Sequence, residues 1–161
     1  MSMRKQRGTT AFELLVTVAV AAITLGVAVP SFGDTLNRRR LESTANELGS
    51  DLQWARTEAV RRGLNVWLTT TAATQYSIRV VDASNVTQTL KSVTLPDGLS
   101  VTPSQQATFD SVRGILGDSA PPTFAISSSH TTAKLDVVLN LMGRVQMCSP
   151  GGGLTGYKAC S

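Results

Sequence analysis

The run Leu14–Val29, LLVTVAVAAITLGVAV, is sixteen residues long, carries no charge, and follows a lone acid, Glu13. It constrains the fold more than any other feature. Sixteen residues fall slightly short of the roughly 20 that cross a bilayer core as a helix. Ala11, Phe12 and Phe32 lengthen the run, but only by bringing Glu13 close to hydrocarbon. A carboxylate there costs roughly 2.5–3.5 kcal/mol on insertion scales, so an acid in that place marks a functional role. The chain holds a single such run, which excludes a polytopic membrane protein. Its 42% apolar and 16% charged composition excludes charge-driven disorder. The net charge of +4 comes mostly from Arg4, Lys5 and Arg7, ahead of Gly8; beyond them twelve basic residues face eleven acidic ones. Global charge therefore says almost nothing about partners.

Two readings compete for the first thirty residues. One is a secretory signal peptide with a small-residue cleavage site near Gly26-Val27-Ala28. The other is a helix that continues without a break, favoured by the acid heading the apolar run and by the pattern beyond it. Leu41, Ala45, Leu48, Leu52, Ala55 and Ala59 recur at alternating spacings of 4 and 3, an amphipathic stripe. The charges Arg39, Glu42, Glu47, Asp51, Glu58 and Arg62 are read onto the other faces. Arg61-Arg62 followed by Gly63 is a stop signal, cations in the last turn and then a residue that accepts positive φ. The helix is thus expected from Thr10 to Arg62, with Pro30 as either a kink or a hinge. Arg38-Arg39-Arg40 reads as a solvated face balanced by Asp34 and Glu42, or as a contact for anionic headgroups.

After Gly63 the pattern changes to alternation in Thr-, Val- and Ser-rich segments. Strands are expected at 66–71, 76–81, 87–95, 99–102, 124–128, 134–141 and 144–148. Turns fall at 72–75, 82–85 and Pro96-Asp97-Gly98, and a loop over 114–122. Antiparallel strands packed on the Ala/Leu stripe give an α+β fold: a long N-terminal helix against an antiparallel β-sheet head.

Gly8 followed by TTAFELLVTVAVAAITLGVAVP resembles the leader and N-terminal helix of type IV pilins and the related pseudopilins. The resemblance implies that a prepilin peptidase cuts after Gly8 and methylates the amine of Thr9, where the family usually has Phe or Met. Glu13 takes the place of the family's glutamate at the fifth mature position, and Pro30 that of the helix proline. An α-amine on an incoming subunit can neutralise the Glu13 carboxylate and offset its desolvation. The stretches TFDSVRGIL (108–116) and LDVVLNLMGRVQMC (135–148), with the pair Gly143-Arg144, resemble the GspH/FimT/FimU group of minor pilins and pseudopilins. The implied organisation is a leader over 1–8, a transmembrane and filament-core helix over 9–30, and a periplasmic amphipathic helix with β-rich head over 31–161. The implied role is a minor pilin that primes type IV pilus assembly near the filament tip and links other minor pilins to the major pilin. A type II secretion pseudopilin shares the same blueprint. The implied location is the inner membrane, with a periplasmic head, and then the extracellular filament.

Cys148 and Cys160 flank the glycine-rich stretch Ser149–Gly153. With one histidine in the chain they cannot complete a tetrahedral metal site, and in an exported head a disulfide is their expected fate. No catalytic role is assigned. His130 sits in a Ser/Thr loop, and no glycine pattern cradles a phosphate, so neither cofactor nor metal is expected. The sequon Asn85-Val86-Thr87 is uninformative. Nucleic-acid binding is the rival from another class, because some FimT-like members carry a GRxR motif and bind DNA for uptake. Here the motif reads Gly143-Arg144-Val145-Gln146, leaving Arg144 and Lys158 as the candidate phosphate contacts. Two contacts supply weak, salt-sensitive affinity.

Overall fold

The computed structural model describes residues 10–118 and 120–160, and the side chains of residues 25–32 lie outside that description. Helix α1 (Ala11–Arg62) opens with Thr10 as its cap. The Thr10 Oγ1 accepts the Glu13 N–H at 3.4 Å, and Thr-Ala-Phe-Glu has the spacing of a capping box. Glu13 thus also has a local task, an acid at the positive end of the helix dipole. Pro30 falls inside the helical span, and its side chain lies outside the described residues, as do Gly8 and Thr9. By packing, the chain divides after Leu36 into two units.

In the first unit the described apolar side chains are exposed: Phe12 at 76%, Leu15 at 68% and Ile23 at 70%. Among the described residues no helix is long and apolar enough to cross a membrane. The expected span over 9–30 includes residue 9 and side chains 25–30, which are not described.

The second unit, from Asn37, is the head. All six residues of the Ala/Leu stripe are buried, and they share one core with the inward-facing residues of two sheets. The first sheet joins β1 (Val66–Ala72), β2 (Gln75–Val81), β3 (Thr87–Thr94) and β5 (Gln106–Phe109) in the order β3-β2-β1-β5. The second joins β4 (Leu99–Val101), β6 (Thr123–Ser128), β7 (Thr131–Leu139), β8 (Val145–Ser149) and β9 (Lys158–Ala159) in the order β4-β6-β7-β8-β9. A single 3₁₀ turn, Pro150–Gly152, lies between β8 and β9. The α+β fold with antiparallel strands agrees with the sequence reading, and so does the helix stop, since Gly63 adopts φ 64°.

Two differences have physical causes. The described strands form two sheets: the turn after β3, with Gly98 at φ 79°, leads into β4 of the second sheet, and β5 then returns to pair with β1. Its four residues are too few for alternation to register. The pair β8–β9 is parallel, and its two residue pairs are adjacent to a covalent tether rather than set by strand propensity.

Candidate functional site

The amphipathic half of α1 carries a polar margin that the charge pattern alone had placed facing outward. Thr44, Asp51 and Glu58, seven residues apart, are each buried to 7% exposure or less. Each is three residues beyond a stripe residue (Leu41, Leu48, Ala55), so helical spacing held the signal for their burial. Asp51 clamps the helix to the first sheet. Its carboxylate accepts the Tyr76 hydroxyl at 2.8 Å and the Lys91 ammonium at 2.7 Å. Burial, and then the Asp51 carboxylate, push the Tyr76 hydroxyl above its ordinary range.

Glu58 closes the last turn of α1, accepting Arg61 Nε at 2.8 Å and also Arg62 Nε. Hydrogen bonds from Arg61 and Arg62 hold its carboxyl down at about 2, from an ordinary 4.5. A lowered carboxyl stabilises the fold above its ordinary value, and that contribution is lost as pH falls from about 5 towards 2. Arg61 is 64% exposed, so solvent screening reduces the contribution to about 1 kcal/mol. Glu58→Gln is expected to flatten the acid limb of stability by about that amount while changing stability little below pH 2. Acid titration of the unfolding free energy measures both.

The C-terminal candidates form a second constellation. Cys148 and Cys160 are joined in a disulfide. It ties β9 to β8 beside a loop anchored by Leu154, which is 3% exposed. Ser149, fully buried, donates its hydroxyl to the Lys134 carbonyl and accepts the Leu154 N–H. Next to the disulfide stands Asp136 on β7, with Oδ2 3.7 Å from the Cys160 sulfur. Its buried Oδ1 has no hydrogen-bond partner among the described residues. Burial pushes this carboxyl up, and Lys134 opposes the shift. Asp136, Cys148 and Cys160 lie close enough together to suggest a metal triad. The disulfide removes both thiolates that a metal would need.

The two candidate cations, Arg144 and Lys158, line different clefts. Lys158 lines one of about 540 Å³ with Asp136, Val138 and the disulfide. Arg144 lines another with Gln53, Arg56 and Val145, and Gln146 borders both. Arg144 immediately precedes β8, and the hairpin turn that leads to it is fixed by Asn140, since the Asn140 Oδ1 accepts the Arg144 N–H at 2.9 Å. His130 is exposed in the β6–β7 turn, where its N–H donates to Ser128 Oγ.

The family described as type II transport protein GspH matches residues 44–143, a span that runs from the buried helix stripe to the glycine before Arg144. Among solved structures, the head is similar to the type IV minor pilin FimU of Pseudomonas aeruginosa. The identity is 24% and the TM-score 0.59, over 70% of this chain and 94% of that one. It is also similar to EpsH, a minor pseudopilin from the Type 2 Secretion System of Vibrio cholerae. There the identity is 16% and the TM-score 0.55, over 70% of this chain and 98% of that one. No curated protein sequence matches. The match over residues 44–143, more than half of the 161-residue chain, places it in the GspH family of pilin-like proteins.

Proposed function

We propose that this chain is a minor pilin that primes type IV pilus assembly near the filament tip, joining other minor pilins to the major pilin. One observation carries the reading. The same helix is covered by its own sheets from Leu41 to Ala59, yet its described apolar residues before Thr24 are exposed. An apolar helix face left exposed among the described residues calls for lipid or other subunits as cover. Both are supplied in sequence if the helix first resides in the inner membrane, with a periplasmic head, and then packs in a filament core. GspH/FimU-type pilins are structural proteins rather than enzymes, and the role proposed here is likewise structural. The pseudopilin reading draws on the family's description and on the likeness to EpsH. Its filament would serve type II secretion instead.

The test begins with the mature N-terminus. Processing after Gly8 by a prepilin peptidase should leave N-methylated Thr9, read by mass spectrometry. A chain starting near Val29 would mean a conventional signal peptide and remove the filament reading. Glu13→Val is expected to leave the head folded and reduce incorporation into sheared filaments. Loss of pili on deletion supports the pilus role, whereas loss of secretion with normal pili transfers the chain to the pseudopilins.

A further inference from the structure

At one corner of the head, three segments meet: Arg56–Val60 on α1, the turn Asp110–Gly114 and the hairpin turn Asn140–Arg144. The approach is close because two glycines with positive φ, Gly114 at 61° and Gly143 at 72°, turn the chain there. A Cβ on Gly143 would come to 3.1 Å from the Gly114 carbonyl and 3.5 Å from Arg56 Cδ, and one on Gly114 to 3.2 Å from Arg56 Cγ. The stem of Arg56 is therefore packed between the two turns, which orders it before any partner arrives. Arg56 lines a cleft with Arg144 on one side and a second cleft with Val60 and Arg113 on the other.

The guanidinium groups of Arg56, Arg113 and Arg144 make no hydrogen bond or ion pair with any described residue. Of the nearby acids, Glu58 holds Arg61 and Arg62, while Asp110 accepts the backbone N–H groups of Val112 and Arg113 and feels the Arg113 charge without a hydrogen bond to its guanidinium. Between the cations stand bare aliphatic groups, Val112 at 78% exposure, Met142 at 65% and Val60 at 50%.

We propose that this corner is the head's docking surface for an acidic protein partner: a neighbouring filament subunit that presents carboxylates beside aliphatic side chains. Three forks without acceptors call for carboxylates, which arginine binds in bidentate fashion. Met beside arginine, with lysine absent from the corner, follows the enrichment of Met and Arg and the depletion of Lys at protein–protein interfaces. A groove for single-stranded nucleic acid adds aromatic stacking platforms, and neither cleft at this corner is lined by an aromatic residue; duplex binding, which needs only phosphate contacts, is left to the experiment. The proposal rests on the filament reading and names the surface that would be used.

The test uses the full-length chain in its own cells, with a photo-crosslinking benzoyl-phenylalanine at Met142 and, as a control, at Val86 in the β2–β3 loop. Met142 is expected to capture another pilin-like subunit through a peptide rich in Asp or Glu, and Val86 is not. The triple charge reversal R56E/R113E/R144E should lower the Met142 yield more than about tenfold. It should still form the Cys148–Cys160 disulfide, which reports a folded head. Replacing the captured carboxylates by lysine should restore the yield. A 30-base-pair duplex is titrated against the purified full-length chain in parallel. Duplex binding at physiological salt that the triple reversal abolishes, with the subunit cross-link unchanged, would overturn the proposal in favour of nucleic acid. Capture of no subunit at Met142 would overturn it as well. In that case, finding the chain in sheared filaments shows that only this surface was wrongly assigned, and its absence from them removes the filament reading too.

Discussion

Asp51→Ala is expected to destabilise the head by about 3 kcal/mol, through the groups it abandons rather than the volume it removes. Tyr76 is 1% exposed, and its hydroxyl has the Asp51 carboxylate as acceptor; without it a buried O–H is left unpaired. Lys91 is 38% exposed at its side chain, so its ammonium can turn to water, which keeps the loss at the lower end for a broken buried ion pair. Asp51→Asn keeps an acceptor for Tyr76 and gives up only the charge, so about 1 kcal/mol is expected. Combining Asp51→Ala with Tyr76→Phe should cost clearly less than the two single losses added, because the second change removes the orphaned hydroxyl. Denaturant unfolding of the four proteins supplies the cycle, and strict additivity would show that the clamp is not a unit. The Tyr76 ionisation should also fall in Asp51→Asn yet stay above the ordinary tyrosine range, since burial is the larger cause of its shift.

Removing the disulfide by Cys148→Ser with Cys160→Ser is expected to cost about 3 kcal/mol in the chain-entropy model, for a separation of 12 residues. The structural consequence should be local. Strand β9 has two paired residues, and the Cys160 N–H reaches the Ser149 carbonyl at 3.4 Å. Without the covalent tie these are too few to hold the tail, whereas Leu154 and the Ser149 hydroxyl still anchor the loop before it. Hydrogen exchange should therefore rise over 158–160 while β6 and β7 keep their protection. Loss of protection throughout the head would show instead that the bridge supports the whole second sheet.

The sequence by itself determined the helix and its covered face. The spacing of Leu41, Ala45, Leu48, Leu52, Ala55 and Ala59 is a local property of 3.6 residues per turn, and each of the six is buried. Gly63 was legible as the stop for the same reason, and most strands were legible from alternation. What only the tertiary structure decided depends on residues distant along the chain. The partition into two sheets follows from which strand edges meet, and β5 is a strand because β1 offers it an edge. Asp51 and Glu58 look like solvated charges until Tyr76 and Lys91, or the two terminal arginines, supply the bonds that allow their burial. Arg144 and Lys158 stand close in sequence and line separate clefts, while Arg56 and Arg113, never singled out along the chain, join Arg144 at one corner. Periodicity reports how a segment meets the core; it carries no information on which distant side chain stands opposite, and the charges at this surface are arranged by that opposition alone.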